Sequence, residues 1–338
     1  MSADKKPLLS ICVLSYNQVD EVRRLFDSIK DQVVPEVEIF VRDDSTNNDT
    51  ERLVREYNKL FPIRYVHGIK EGIDKVVIFL TKEARGKYVW WIGDDVIEPR
   101  AISKVLDLVR ENPDVDFIWA NYRIVGHSEL AIDLPKDGNF ENKNQLLELG
   151  GAGLGFISAT VFKKEKAIPW MPLAEKYIGS LFSNLCIVLG VLSEGGQHFY
   201  FREPLVVCYP ATPEEIKKIT NKNEAIQNQG FEVYGITFYN ILHEFNGKFG
   251  KISIKRTIKK NFSSLWRGMV VAWIGGWDTP RGKRLPMLKR YWMFPEAWIA
   301  FVLFIIPLWI NKTLFFFYKL FFSHRRFRYG KLTTGILK

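Results

Sequence analysis

Only three cysteines and five histidines occur among the 338 residues. Cys12, Cys186 and Cys208 sit in apolar runs with no metal-ligand spacing, and the histidines show none either, which excludes a disulfide scaffold and a structural zinc site. A long hydrophobic run is also missing. The longest, 297–310, has 14 residues, short of the roughly 20 that cross a bilayer as a helix. Pro307, Asn311 and Lys312 interrupt any extension of it. Met1–Pro7 is polar and Leu8–Leu14 is short and lacks a cleavage pattern, so no signal peptide is read and the catalytic part is expected in the cytosol. No internal repeat or low-complexity segment is present.

Acidic residues become scarce late in the chain. Residues 1–215 hold 26 Lys+Arg and 33 Asp+Glu, net −7, whereas residues 216–338 hold 22 and 5, net +17. A length of 338 residues calls for two domains, or one with a large appendage, and the charge asymmetry sets the expected division at 1–215 and 216–338. A cationic segment attracts nucleic acid or anionic lipid. Lipid is favoured, because the clusters Arg281–Arg284, Lys289-Arg290 and His324–Arg328 flank the apolar 297–310, Leu314–Tyr318 and Leu320–Phe322. Nucleic acid is therefore not an expected partner. A full span would put one basic cluster on the translocated side, against the positive-inside rule. The expectation is one or two helices lying in the cytoplasmic leaflet with aromatic and basic anchors, a tilted single span being the alternative.

Before residue 125 the pattern alternates. Leu8–Leu14, Val37–Val41, Ile63–Val66 and Lys87–Ile92 are apolar runs of strand length, separated by segments with apolar residues at helical spacing, such as Val22, Leu25, Phe26 and Ile29. Such alternation predicts an α/β fold with a mostly parallel, helix-covered sheet. Further strands are predicted at Val115–Ala120, 156–162 and 198–209, with a helix over 177–192. Gly150–Gly155 reads as a loop on the acceptor side, since it lacks a phosphate-loop ending.

The fourth run ends in Gly93-Asp94-Asp95. Carboxylates at the carboxyl end of a buried strand stand where open α/β sheets bind ligands. Carboxylate oxygens select Mg²⁺ or Mn²⁺, which take one or two protein carboxylates and fill the other positions with water and phosphate. A metal-bridged diphosphate fits this pair, and a solvated acidic turn is the other reading.

Three motifs in order resemble the family 2 glycosyltransferases of the GT-A fold: Leu14-Ser15-Tyr16-Asn17, Asp43-Asp44-Ser-Thr, and Ala84-x-Gly86-x-Tyr88 leading into Gly93-Asp94-Asp95. Within that family the Gly-Asp-Asp variant is similar to abequosyltransferase-like enzymes of O-antigen and surface polysaccharide synthesis. The resemblance implies a nucleotide-diphosphate sugar donor and a polyprenyl-diphosphate-linked glycan acceptor, handled at the cytoplasmic face of an anionic membrane surface. It places Ser15, Tyr16, Asn17, Asp43 and Asp44 around the nucleotide, with Asp43 accepting from the base. Asp95 matches the metal-binding aspartate of the Asp-x-Asp motif; Gly93 replaces its first aspartate, with Asp94 adjacent to compensate. The family's catalytic base falls in 177–184, which contains no carboxylate, leaving Glu175 or Glu194 as candidates and the stereochemistry open. Two other readings are a non-catalytic nucleotide-sugar-binding or scaffolding subunit and a sugar-phosphate nucleotidyltransferase. The latter calls for a glycine-rich, arginine-bearing loop after the first strand, which Ser15–Gln18 is not.

Overall fold

The computed structural model describes residues 6–127, 130, 134, 136–140, 142–209, 232–274, 288–305 and 313. Two compact units divide the chain: Met1–Leu146 with Gly153–Pro210, and Leu147–Ala152 with Ala211–Lys338. The expected boundary at 215/216 lies outside the described residues, as do Arg281–Arg284, 306–310, Leu314–Phe322 and His324–Arg328.

The first unit is one mixed sheet with helices. In chain order it contains β1 (Leu9–Ser15), α1 (Val19–Ile29), β2 (Val37–Asp43), α2 (Asp49–Tyr57), β3 (Ile63–His67), α3 (Ile73–Glu83) and β4 (Tyr88–Ile92). Then follow β5 (Val96–Ile97), α4 (Ala101–Glu111), β6 (Val115–Ile124), β7 (Gly138–Asn139), α5 (Lys143–Gly150, which counts with the second unit from Leu147 on), β8 (Thr160–Lys163), α6 (Lys164–Ala167), α7 (Met171–Lys176), α8 (Ser183–Ser193) and β9 (Gln197–Cys208). The strand order is β3-β2-β1-β4-β8-β6-β9-β5, with β7 on β9. Pairing is parallel from β3 through β2 and β1 to β4, and again between β6 and β9. It is antiparallel where β8 joins β4 and β6, and where β5 and β7 join β9. The expected mostly parallel sheet is thus corrected to a mixed one: the parallel β3-β2-β1-β4 block and the parallel β6–β9 pair are joined through antiparallel β8.

Tyr88–Ile92 is buried on both faces, as its unbroken apolar sequence requires. Tyr88, Trp90 and Ile92 pack into the core built with α1, α2 and α4. Trp91 faces the other way, against Phe162 at 4.6 Å, and its Nε1 donates to Thr81 Oγ1 at 3.1 Å. Both tryptophans are therefore core residues and neither is a sugar platform. Gly86 is fixed by close approach: it donates to Ser10 Oγ at 2.8 Å, and a Cβ there would lie 2.5 Å from the Ser10 backbone nitrogen.

The expected helix over 177–192 begins only at Ser183, because Gly179 (φ 88°) and Leu181 (φ 65°) take the left-handed region. Asp74, buried at the start of α3, accepts the backbone N–H groups of Gly179 (2.8 Å), Leu181 (2.9 Å) and Ser183 (3.0 Å), which stabilises that break. The expected strand 156–162 is shortened to β8, and Gly151–Gly155 forms a 3₁₀ turn rather than an open loop.

The second unit is helical: α9 (Phe238–Glu244), α10 (Lys251–Ile274) and α11 (Pro295–Ile305). Phe262 stacks on Tyr291 at 4.3 Å, and the Tyr291 hydroxyl donates to Gly235 O at 2.6 Å. Leu147–Ala152 belongs here because Lys260 Nζ donates to Glu148 O (3.2 Å) and Leu149 O (3.0 Å). Among the described residues no helix is long and apolar enough to cross a membrane.

Candidate functional site

Parallel register brings the first motif residues together. Ser15 lies opposite Asp43, and Asp43 opposite His67, in one rung at the carboxyl ends of β1, β2 and β3. Asp43 is fully buried, so its carboxylate needs partners. Oδ1 accepts the Ser45 N–H at 3.1 Å and the Ser45 hydroxyl; Oδ2 accepts the Tyr65 hydroxyl at 2.8 Å and has His67 Nδ1 at 3.9 Å. Burial and then Asp43 push the Tyr65 phenol up, so it stays a donor. Ser45 Oγ accepts the N–H of Asn17 at 2.7 Å, and Asn17, at φ 54°, accepts the Thr46 N–H at 3.0 Å. The Asp44 N–H donates to Ser15 O at 3.0 Å, and Ser15 Oγ lies 3.3 Å from Thr50 Oγ1. These bonds knit the loops after β1 and β2 into one wall.

Tyr16 stands on the rim of this wall with Lys70 Nζ 4.2 Å from its ring centroid, a cation–π contact. Asp44 turns away from it. Its Oδ1 accepts from Arg42 Nε at 2.6 Å and its Oδ2 from the Glu71 N–H at 3.1 Å, while Arg42 also reaches Glu71 at 3.3 Å and lies over the Phe79 ring at 4.7 Å. Through these bonds the Asp44 carboxylate holds the β3–α3 connection.

At the end of β4 the two aspartates face different ways. Asp95 is 1% exposed, and its Oδ1 accepts the Tyr209 N–H at 3.2 Å. Ser158 and Cys208 hydrogen-bond the same carboxyl, whose pKa is raised first by burial and then by Asp94. Ser158 Oγ also accepts the Gly93 N–H at 3.3 Å. Asp94 is only partly buried. Asp95 thus ties β4 to the end of β9, and Asp94 is the more exposed carboxylate of the pair. Among the described residues no three His, Cys, Asp or Glu side chains converge on a metal position. A Mg²⁺ or Mn²⁺ held by one carboxylate plus substrate phosphates and water needs no such cage, so Asp94 fits the ion's demand.

Neither glutamate proposed as base reaches this edge. Glu175 is ion-paired at 2.6 Å with Lys82, in the last turn of α3. That turn lies eight residues beyond Asp74, about 12 Å along the helix at 1.5 Å per residue, toward the amino ends of the strands. Glu194 follows the last residue of α8 and precedes β9, also at the amino end. The residues that sequence reasoning missed, Tyr65, His67, Lys70, Ser158 and Tyr209, enter through sheet register and one distant backbone bond.

A model of the family described as glycosyl transferase family 2 matches residues 10–164. An abequosyltransferase of Salmonella typhimurium is 23% identical over 225 residues, 60% of this chain and 66% of that protein. Chondroitin synthase of Escherichia coli is 27% identical over 119 residues, 35% of this chain and 17% of the synthase. The chain spans less than two thirds of the length of these relatives. Among solved structures, S. aureus TarS 1-349 in complex with UDP-GlcNAc superposes with a TM-score of 0.58 at 14% identity, covering 75% of this chain and 72% of that one. The mannosyltransferase PcManGT from Pyrobaculum calidifontis, in complex with GDP-Man and Mn²⁺, gives 0.52 at 13% identity, covering 95% and 83%. Residues 10–164, which hold the knitted β1 and β2 loops and the carboxylate pair at the end of β4, thus match glycosyl transferase family 2, on a fold like that of these solved structures.

Proposed function

We propose that the protein moves one sugar from a nucleotide-diphosphate donor to a polyprenyl-diphosphate-linked glycan, at the cytoplasmic face of a membrane, in surface polysaccharide synthesis. The observation that carries the transfer reading is the partly exposed Asp94 at the carboxyl edge that also bears the Ser15–Asp43–His67 rung. The lipid-linked acceptor is supported by the likeness to an abequosyltransferase and by the +17 net charge of residues 216–338.

The nucleoside lies against the wall formed by Ser15, Tyr16 and Asn17, with the Tyr16 ring as its stacking surface. Each carboxylate oxygen has about two lone-pair sites, so Asp43 retains acceptor capacity for a donor edge of the base beside Tyr65 and Ser45. Asp94 holds Mg²⁺ or Mn²⁺ against the diphosphate. When bound, that ion stabilises the charge growing on the leaving nucleoside diphosphate. Lys70, beside Tyr16, adds a cation to the same rim. Asp95, Ser158 and Tyr209 fix the turn that presents Asp94.

A non-catalytic, nucleotide-sugar-binding subunit is the second reading, favoured by the absence of a carboxylate from 177–184 and by the positions of Glu175 and Glu194. Thermal-shift measurements with UDP, GDP, CDP and dTDP, with and without Mn²⁺, followed by turnover of the stabilising donor, separate the two. A Mn²⁺-dependent shift with turnover supports the transferase; a shift without hydrolysis or transfer supports the binding subunit.

A further inference from the structure

Among the described residues of the helical unit, the exposed large apolar side chains other than Ile252 fall in one stretch. Trp292, Met293, Trp298, Ile299 and Val302 are 49–64% exposed within an 11-residue stretch. Ala297 and Ala300 of α11, by contrast, are buried together with Phe294 and Tyr291. Helical spacing explains the split, since 298 and 302 share a face one turn apart while 297 and 300 line the opposite one. The Trp298 indole is tied to the preceding turn: its Nε1 donates to the backbone carbonyl of Trp292 at 2.9 Å. A soluble surface scatters such side chains singly, and a cluster of them marks an interaction site.

We propose that this face of α11 and its preceding turn is seated in the interfacial layer of an anionic phospholipid membrane, holding the unit in the plane of one leaflet. This rests on the membrane part of the reading above and is independent of the sugar-transfer chemistry. Charge complementarity identifies the occupant. Lys289 directly precedes the patch, and Lys251, Lys255, Arg256 and Lys259 are exposed on α10 of the same unit, while residues 216–338 contain only 5 acidic side chains. Tryptophan pairs and basic side chains are the anchors of helices that lie at the headgroup level. A second copy of the chain fits less well. The five side chains offer roughly 500 Å² of exposed surface, below the about 800 Å² per partner that a stable dimer buries.

The test uses the full chain and vesicles of phosphatidylcholine, with or without about a third phosphatidylglycerol, carrying brominated acyl chains that quench nearby tryptophan. Wild type is expected to sediment with the anionic vesicles, more weakly at high salt, and to be quenched. Trp298→Phe, which preserves an aromatic ring, is expected to lose part of the quenched emission. The pair Trp292→Ala with Trp298→Ala is expected to lower vesicle affinity at least tenfold. Quenching unchanged in Trp298→Phe overturns the proposal, as does wild-type vesicle affinity in the double variant. A wild-type dimer that the double variant converts to monomer overturns it in favour of self-association. Donor-induced thermal shifts in the same proteins report separately on the transferase reading.

Discussion

Asp95 accepts the backbone N–H of Tyr209 at 3.2 Å across 114 positions of sequence. That bond holds Asp95 inward, whereas Asp94 is only partly buried. Asp94→Asn is expected to abolish the Mn²⁺-dependent part of nucleotide binding and to lower turnover by at least about a hundredfold while leaving Tm nearly unchanged. Asp95→Asn is expected to behave in the opposite order, with a stability loss of about 1–3 kcal/mol from a weakened buried acceptor. Equal loss of Mn²⁺ response with unchanged Tm in both variants would falsify the division of roles.

Glu175 pairs with Lys82 and stands off the site. Glu175→Gln should therefore change turnover by less than about twofold, because an exposed ion pair contributes only ~0–1 kcal/mol. A drop of several hundredfold would return Glu175 to the list of candidate bases.

Arg42 is the cation that keeps Asp44 buried. Arg42→Ala leaves that carboxylate without its charge partner and removes the guanidinium from the Phe79 ring. Breaking a buried pair costs about 3–5 kcal/mol, so urea unfolding is expected to show a midpoint lowered in proportion. The β3–α3 connection loosens as well, which weakens donor binding beyond the stability effect.

His198 is buried, its Nδ1 has no hydrogen-bond partner among the described residues, and burial lowers its pKa despite the opposing influence of Asp116. The folded state thus holds it neutral while the unfolded chain takes up a proton below about pH 6.5. The contribution is fully present above that pH and is lost as pH falls toward the lowered folded value. Urea midpoints at pH 7.5 and pH 5 should differ less in His198→Phe than in wild type; an equal pH dependence would contradict the assignment.

Gly86→Ala meets the Ser10 backbone, which cannot rotate aside. Overpacking of this kind costs about 1–3 kcal/mol, and the loss should appear as a lowered Tm with nucleotide selectivity unchanged.

The first four strands and the helices between them were legible because each is a short apolar run or a 3.6-period segment punctuated by polar loops. Legibility ended where long-range pairing decides structure. Nothing local in Thr160–Lys163 announces a strand that inserts antiparallel between β4 and β6. The helix expected from 177 failed at Gly179 and Leu181, whose backbone angles depend on Asp74 more than a hundred residues earlier. At the site, the places of Ser15 and Asp43 at strand ends could be read from the ends of the apolar runs. Which of two adjacent carboxylates is buried could not, because the bond from Tyr209 comes from 114 positions away. The bonds of Asp44 were hidden for the same reason: its partners Arg42 and Glu71 meet only once the β3–α3 connection is docked on β2.

Gly93 has room that packing does not use. A Cβ at this position would touch only Ile157 Cδ1, at 3.4 Å. Glycine is therefore not imposed by the fold, and the three-aspartate version of the β4 turn is one base change away from a GGU or GGC codon. Packing therefore leaves the charge of this turn to be set by selection on what it binds rather than by the fold.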